Sequence, residues 1–181
     1  MNDKLAQGYY FFTDIKKEGI ALYELKGHTL AEPKNLSEKN GKKLSEKFLE
    51  HGLKVAEGIF DTFRYVLGQE RFNEAAFNLH QTVERLYASF LLSRTLYVPN
   101  THNIKFLRSL AEDIDPTLRT VWPRDTRRER ALFELLKRSY VEARYSEHFK
   151  VTEEELVRLT ERAEKLQKLV TARAPRTGSE R

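Results

Sequence analysis

Apolar positions recur with a helical period through most of the chain. From Ser37 onward, Leu44, Phe48, Leu49, Leu53, Val55, Ala56, Ile59, Phe60, Phe63 and Val66 describe a long helix, with Ser37 as its N-cap and its end near Gly68. Glycines at 41, 52 and 58 are places where it could break, since glycine costs a helix interior about 1 kcal/mol against alanine. A second helix is predicted from about Asn73 to Ser93. Ala75, Leu79, Val83, Leu86 and Phe90 form one stripe, and Phe77, Tyr87 and Leu91 extend the apolar surface to a second side. A helix that is apolar on two sides is contacted from more than one direction, which places it centrally in a bundle.

A shorter third helix follows Thr101, with Ile104, Leu107 and Leu110 on one face, and Asp115-Pro116 opens a single turn. The fourth begins near Asp125 or Thr126 and runs to about Ser146, with Leu132, Leu136, Tyr140 and Ala143 inward. Thr152 and Glu155 have the spacing of a capping box, and Leu156, Leu159, Ala163, Leu166 and Val170 continue into a fifth helix. Ahead of all this, YYFFTDI and IALYEL are rich in aromatic and β-branched residues and flank KKEG, a hairpin pattern. The expected fold is an all-α, up-and-down bundle of about five helices with a short N-terminal β-hairpin. Its parts are residues 1–36 (hairpin and connector), 37–173 (bundle) and 174–181 (flexible tail).

Composition narrows the chemistry. The chain has 181 residues and no cysteine, which excludes disulfides, thiolate metal sites and cysteine nucleophiles. No metal site with diagnostic spacing and no cofactor motif is present. No run approaches ~18 apolar residues and no signal sequence is evident, so a soluble, cytoplasmic protein without membrane contact is expected. The net charge of +5 permits contact with phosphate without marking a dedicated nucleic-acid binder.

The order of several segments carries a family likeness. AAFNLHQTVERLYASFLL from Ala75, THNIKFLRSLAEDIDP from Thr101, LFELLKRSYVEARYSEHF from Leu132 and VTEEELVRLTERAEKL from Val151 together resemble an HEPN domain. YFFTDIKKEGIALYE resembles the closing strands of the nucleotidyltransferase domain that precedes such domains in fusion proteins. The only Gly-Ser, Gly178-Ser179, has no paired aspartates after it, so the chain cannot transfer nucleotides alone. The resemblance implies a helical, commonly homodimeric domain that binds a nucleotide or RNA and works with a nucleotidyltransferase domain or protein. It also implies an alternative, since some members are metal-independent ribonucleases acting as toxins of toxin–antitoxin pairs. Their motif is an arginine followed after four to six residues by a histidine. Here only Tyr145, Ser146 and Glu147 separate Arg144 from His148, which favours an accessory domain without catalysis of its own. A purely structural dimerisation module is the third reading.

Particular side chains follow from these readings. Arg130, Lys137, Arg144 and His148, spaced by seven, seven and four residues, share a narrow sector of an ideal helix bordering the apolar stripe, with Arg144 nearest the core. Such a row could bind phosphate through guanidinium contacts, with Tyr145 alongside. Were RNA cleaved, His148 would be the general acid or base and Arg144 would stabilise charge on phosphorus. His80 and Glu84, one turn apart on the second helix, are a buried polar pair or two groups aimed at one ligand. His102 reads as a local capping or packing residue. Trp122 is a stacking platform or the anchor of a loop.

Overall fold

The computed structural model describes residues 1–6, 10–23, 27, 29–33 and 37–173. The chain runs through α1 (Asn2–Ala6), α2 (Tyr10–Glu18), α3 (Glu38–Gly68), α4 (Phe72–Thr95), α5 (Ile104–Ile114), a 3-10 turn (Pro116–Thr120), α6 (Arg127–Tyr145) and α7 (Glu153–Ala172). Helices α3 to α7 form the bundle.

Helix α4 is its axis and packs against α3, α5, α6 and α7. Both sides of α4 are buried: Ala75, Leu79, Val83, Leu86 and Phe90 on one, Tyr87 and Leu91 on the other. Its most extensive interface is with α3, which runs antiparallel to it, so that Ser45 donates to the Ser93 carbonyl. The three glycines do not break α3. Gly52 marks its closest approach to α4, where an added Cβ would lie 2.0 Å from Ser89 Oγ and 2.7 Å from Ser89 Cβ. Gly58 faces open space. Gly52→Ala should therefore destabilise the fold by about 1–3 kcal/mol through overpacking. Gly58→Ala should stabilise it by about 0.5–1 kcal/mol by removing helix-interior backbone entropy. Urea midpoints of the two variants moving in the same direction would contradict this crossing.

Capping sets the element boundaries. Ser37 accepts from the Asn40 amide and Asn103 from the amides of Lys105 and Phe106. Thr126 accepts from the Glu129 amide, and Thr152 with Glu155 closes a complete capping box. Three polar bonds join α4 to α6 and the segment after it. Ser139 Oγ donates to the Ala76 carbonyl (3.0 Å), Asn73 Nδ2 to the Phe149 carbonyl (2.9 Å), and His80 Nδ1 faces the Leu136 carbonyl (3.0 Å).

The N-terminal hairpin is corrected. Residues 10–18 are helical, Gly19 closes that helix by donating to the Ile15 carbonyl, and no strand occurs among the described residues. The aromatic and β-branched content suggested a strand, but among the side chains described there Phe12, Thr13 and Lys16 turn inward, a helical spacing. Lys16 Nζ reaches the Leu30 carbonyl (3.3 Å) and Glu32 (3.4 Å). Ile20, Leu22 and Tyr23, expected in the second strand, are exposed and irregular, and Glu24 and Leu25 lie outside the described residues. The tail, 174–181, also lies outside them. Among the described residues no helix is long and apolar enough to cross a membrane.

Candidate functional site

The polar residues of α4, α6 and the start of α5 converge on one ring. Tyr140, on α6, stacks with His102 (centroids 4.6 Å apart), His80 (5.1 Å) and Phe77 (6.1 Å). The Arg144 guanidinium lies one turn further along, 4.6 Å from the Tyr140 ring centroid, 4.8 Å from Phe77 and 5.0 Å from Tyr145. Its Nε donates to the Tyr140 carbonyl at 2.8 Å. Such stacking fixes a guanidinium plane while leaving its outer edge in water.

His80 and Glu84 are the predicted pair, with His80 Nε2 3.6 Å from the carboxylate. Their third partner is His102, whose Nδ1 lies 3.1 Å from both Glu84 oxygens. His80 is wholly buried, and its Nε2 also faces the His102 carbonyl at 3.3 Å. With its Nδ1 on the Leu136 carbonyl, both ring nitrogens look at oxygen acceptors. A neutral ring can donate to one of them, the choice setting its tautomer. Neither nitrogen of His80 aims a lone pair at open space. Among the described residues no group of three acidic or histidine side chains is arranged to hold a metal.

Burial works against the Glu84 charge, but the hydrogen bonds and charges of His80 and His102 outweigh it and hold the carboxyl below its ordinary range. A lowered carboxyl pKa contributes stability that is fully present above the unfolded-state value, ~4.3, and is lost as pH falls through the folded value. The melting temperature of the native chain should exceed that of Glu84→Gln by a constant margin above about pH 5, and this margin should shrink towards pH 3. A margin independent of pH would mean that the Glu84 charge is not what is being stabilised.

The predicted row on α6 is only partly made. Arg130, Lys137 and Arg144 lie on α6, but the helix ends at Tyr145 and His148 sits in the connector beyond it. Phe149 and Val151 explain the stop: both are buried, and reaching the core before Thr152 caps α7 requires the chain to leave the helix. The His148 amide donates to Ser146 Oγ at 3.3 Å, while its side chain is exposed. Arg144, expected nearest the core, is exposed, because Phe133, Leu135, Leu136 and Ser139 take the buried side of α6. Lys137 is paired with Glu134, and Arg130 Nη1 donates to the Arg124 carbonyl at 2.5 Å. Tyr145 is 76 % exposed beside Arg144.

His102 is not a capping residue. Asn103 caps α5, which frees the His102 side chain to bridge Glu84 and Tyr140. Eighteen residues separate His102 from Glu84, and no local pattern signals their meeting. Trp122 is the loop anchor, buried at 3 % exposure with its ring tilted on Phe133.

A comparison with curated proteins found no match. The helical bundle with its tyrosine-centred polar cluster is spanned from end to end by one family model, that of the HEPN domain, which matches residues 37–173. This chain belongs to the HEPN domain family.

Proposed function

We propose that the domain binds a nucleotide or nucleic acid at the Tyr140 cluster, works beside a nucleotidyltransferase domain or protein, and catalyses no reaction of its own. One observation carries this reading. Arg144 is held by aromatic rings and a backbone carbonyl, and its two terminal nitrogens make no hydrogen bond or ion pair among the described residues. By contrast, Arg138 pairs with Glu142 and Arg128 with Glu154. A fixed guanidinium with a free outer edge suits a phosphate, and the exposed Tyr145 ring beside it suits a base. Dimerisation accompanies the proposal, through half-buried apolar residues of α3 such as Val55 and Ile59; sedimentation giving a monomer mass at every concentration would sink that part. The binding test is a titration of the protein with labelled mononucleotides and short oligonucleotides at low salt. Saturable binding supports the reading, and its absence at millimolar ligand overturns it.

A second reading, metal-independent RNA cleavage, is favoured by the Glu84–His102 pair. A carboxylate that engages Nδ1 leaves Nε2 for proton transfer, and the His102 side chain is 56 % exposed. The 2′-hydroxyl would attack phosphorus, giving its proton to His102, and the P–O5′ bond would break as the 2′,3′-cyclic phosphate forms, the leaving 5′-oxygen taking a proton from water. Arg144 would stabilise the added negative charge. Cleavage of RNA in chelator, compared across wild type, Arg144→Ala, His102→Ala and His148→Ala, separates the two readings. No cleavage by wild type leaves the binding domain. Loss in Arg144→Ala and in either histidine variant establishes the nuclease and names its proton-transfer residue.

A further inference from the structure

Helices α5 and α6 enclose a groove whose two ends differ. At one end His102 and Arg144 each meet the Tyr140 ring. At the other, Lys105, Arg108 and Ser109 of α5 face Arg130, Phe133 and Glu134 of α6 across a pocket of about 390 Å³ that Pro123 and Arg124 complete. This pairing of residue numbers makes the two helices antiparallel, so the pocket and the Tyr140 cluster lie along one strip of surface.

The pocket is built for an anion. Its volume falls in the range of roughly 300–1,000 Å³ common to small-ligand sites. Phe133 forms an apolar floor, with the Arg108 guanidinium 4.6 Å from its ring centroid. The carboxylates near it are already engaged: Glu112 by Arg108 and Arg124, Glu134 by Lys137. Lys105 has no ion-pair partner among the described residues, and Arg130 bonds a carbonyl, not a carboxylate. Two cations therefore stand over the pocket without neutralisation.

Distance decides what could use both ends. Arg130 and Arg144 are fourteen residues apart on one helix, which is roughly 21 Å along its axis, with Lys137 midway. A single nucleotide cannot reach from one to the other. A single strand of several nucleotides can, and binding sites for single strands commonly cover roughly 4–16 nucleotides.

We infer that the groove between α5 and α6 takes a single-stranded polynucleotide, with one backbone phosphate at Arg144 and another in the Lys105–Arg130 pocket. This rests on the proposed binding function and adds that the ligand is a strand and not a free nucleotide.

The test is fluorescence anisotropy with fluorescein-labelled uridylates of two, four and eight nucleotides and a thymidylate of eight. Affinity should rise at least about tenfold from the dinucleotide to the octamer, as a second phosphate site engages. Lys105→Ala combined with Arg130→Ala should bring the octamer down to the affinity of the dinucleotide and reduce its salt slope by about two. Arg144→Ala should weaken every length. An equal response to the thymidylate octamer supports the proposal with the 2′-hydroxyl unread, and a preference for uridylate supports it with RNA as the strand. Equal affinity for all lengths overturns the inference while leaving the proposed function standing, as does a double variant that weakens dimer and octamer alike. No binding at any length removes both. Circular-dichroism melts of the variants guard against a folding defect.

Discussion

Arg144→Ala is expected to weaken binding of nucleotide or oligonucleotide by roughly 10- to 150-fold, with little change in melting temperature. The range corresponds to the ~1.5–3 kcal/mol typical of a hydrogen-bonded contact to a charged group. Arg144 is exposed, so its removal uncovers little core. One guanidinium faces Phe77, Tyr140 and Tyr145, so these exposed cation–π contacts share a single charge and together contribute roughly 0.5–1 kcal/mol. The binding loss should therefore exceed any stability loss. Arg144→Lys is the sharper variant. It keeps the charge but loses the planar fork and the Nε contact to the Tyr140 carbonyl, so only part of the affinity should return. Isothermal titration of the three proteins at fixed salt reads this directly. Full recovery by lysine would make Arg144 a general positive charge and not a positioned phosphate ligand. An unchanged affinity in the alanine variant would remove it from the site.

Glu112→Ala should cost about 3–5 kcal/mol of stability, the largest effect expected of any polar substitution in the bundle. Arg108 and Glu112 are 4 % and 3 % exposed and paired at 2.5 Å, with Arg108 also donating to the Trp122 carbonyl at 2.6 Å. Truncating the carboxylate leaves the buried guanidinium with no counter-charge, only the Trp122 carbonyl and the face of Phe133. An unpaired buried charge is among the few single changes that reach this magnitude. Arg124, the other partner of Glu112, has a side chain 63 % exposed, and its replacement by alanine should cost no more than about 1 kcal/mol. Replacing Arg108 and Glu112 together by leucine should restore much of the loss, because the desolvation of both charges is then avoided. Urea denaturation of the three variants beside wild type tests the sequence of effects. A Glu112→Ala cost comparable to that of Arg124→Ala would mean that water reaches the pair. The same network holds the Trp122 carbonyl and, through Glu112, Arg124 at the rim of the α5–α6 pocket, so its loss should also loosen that end of the groove.

The helical bundle was legible because its signals are local. Ser37, Asn103, Thr126 and Thr152 cap their helices through amides two or three residues away. The two apolar sides of α4 followed from its own periodicity, and so did its central place. The N-terminal segment failed for a related reason: aromatic and β-branched residues favour strands, yet Phe12, Thr13 and Lys16 turn inward together only on a helix. The end of α6 near Ser146 was expected and is met at Tyr145, but the row drawn on an ideal helix carried His148 past that end, where the burial of Phe149 and Val151 takes the chain out of the helix.

The polar cluster divides along the same line. His80 and Glu84 could be paired from their spacing because one helical turn brings them together. His102, Tyr140 and Arg144 could not be joined to them, since three separate elements must pack before their side chains meet. Residue identity along the chain determined the helices, most of their caps and the available chemistry. Packing of α4, α5 and α6 decided which of those groups face one another, because contacts between distant segments depend on the summed burial of the whole core and not on any local pattern.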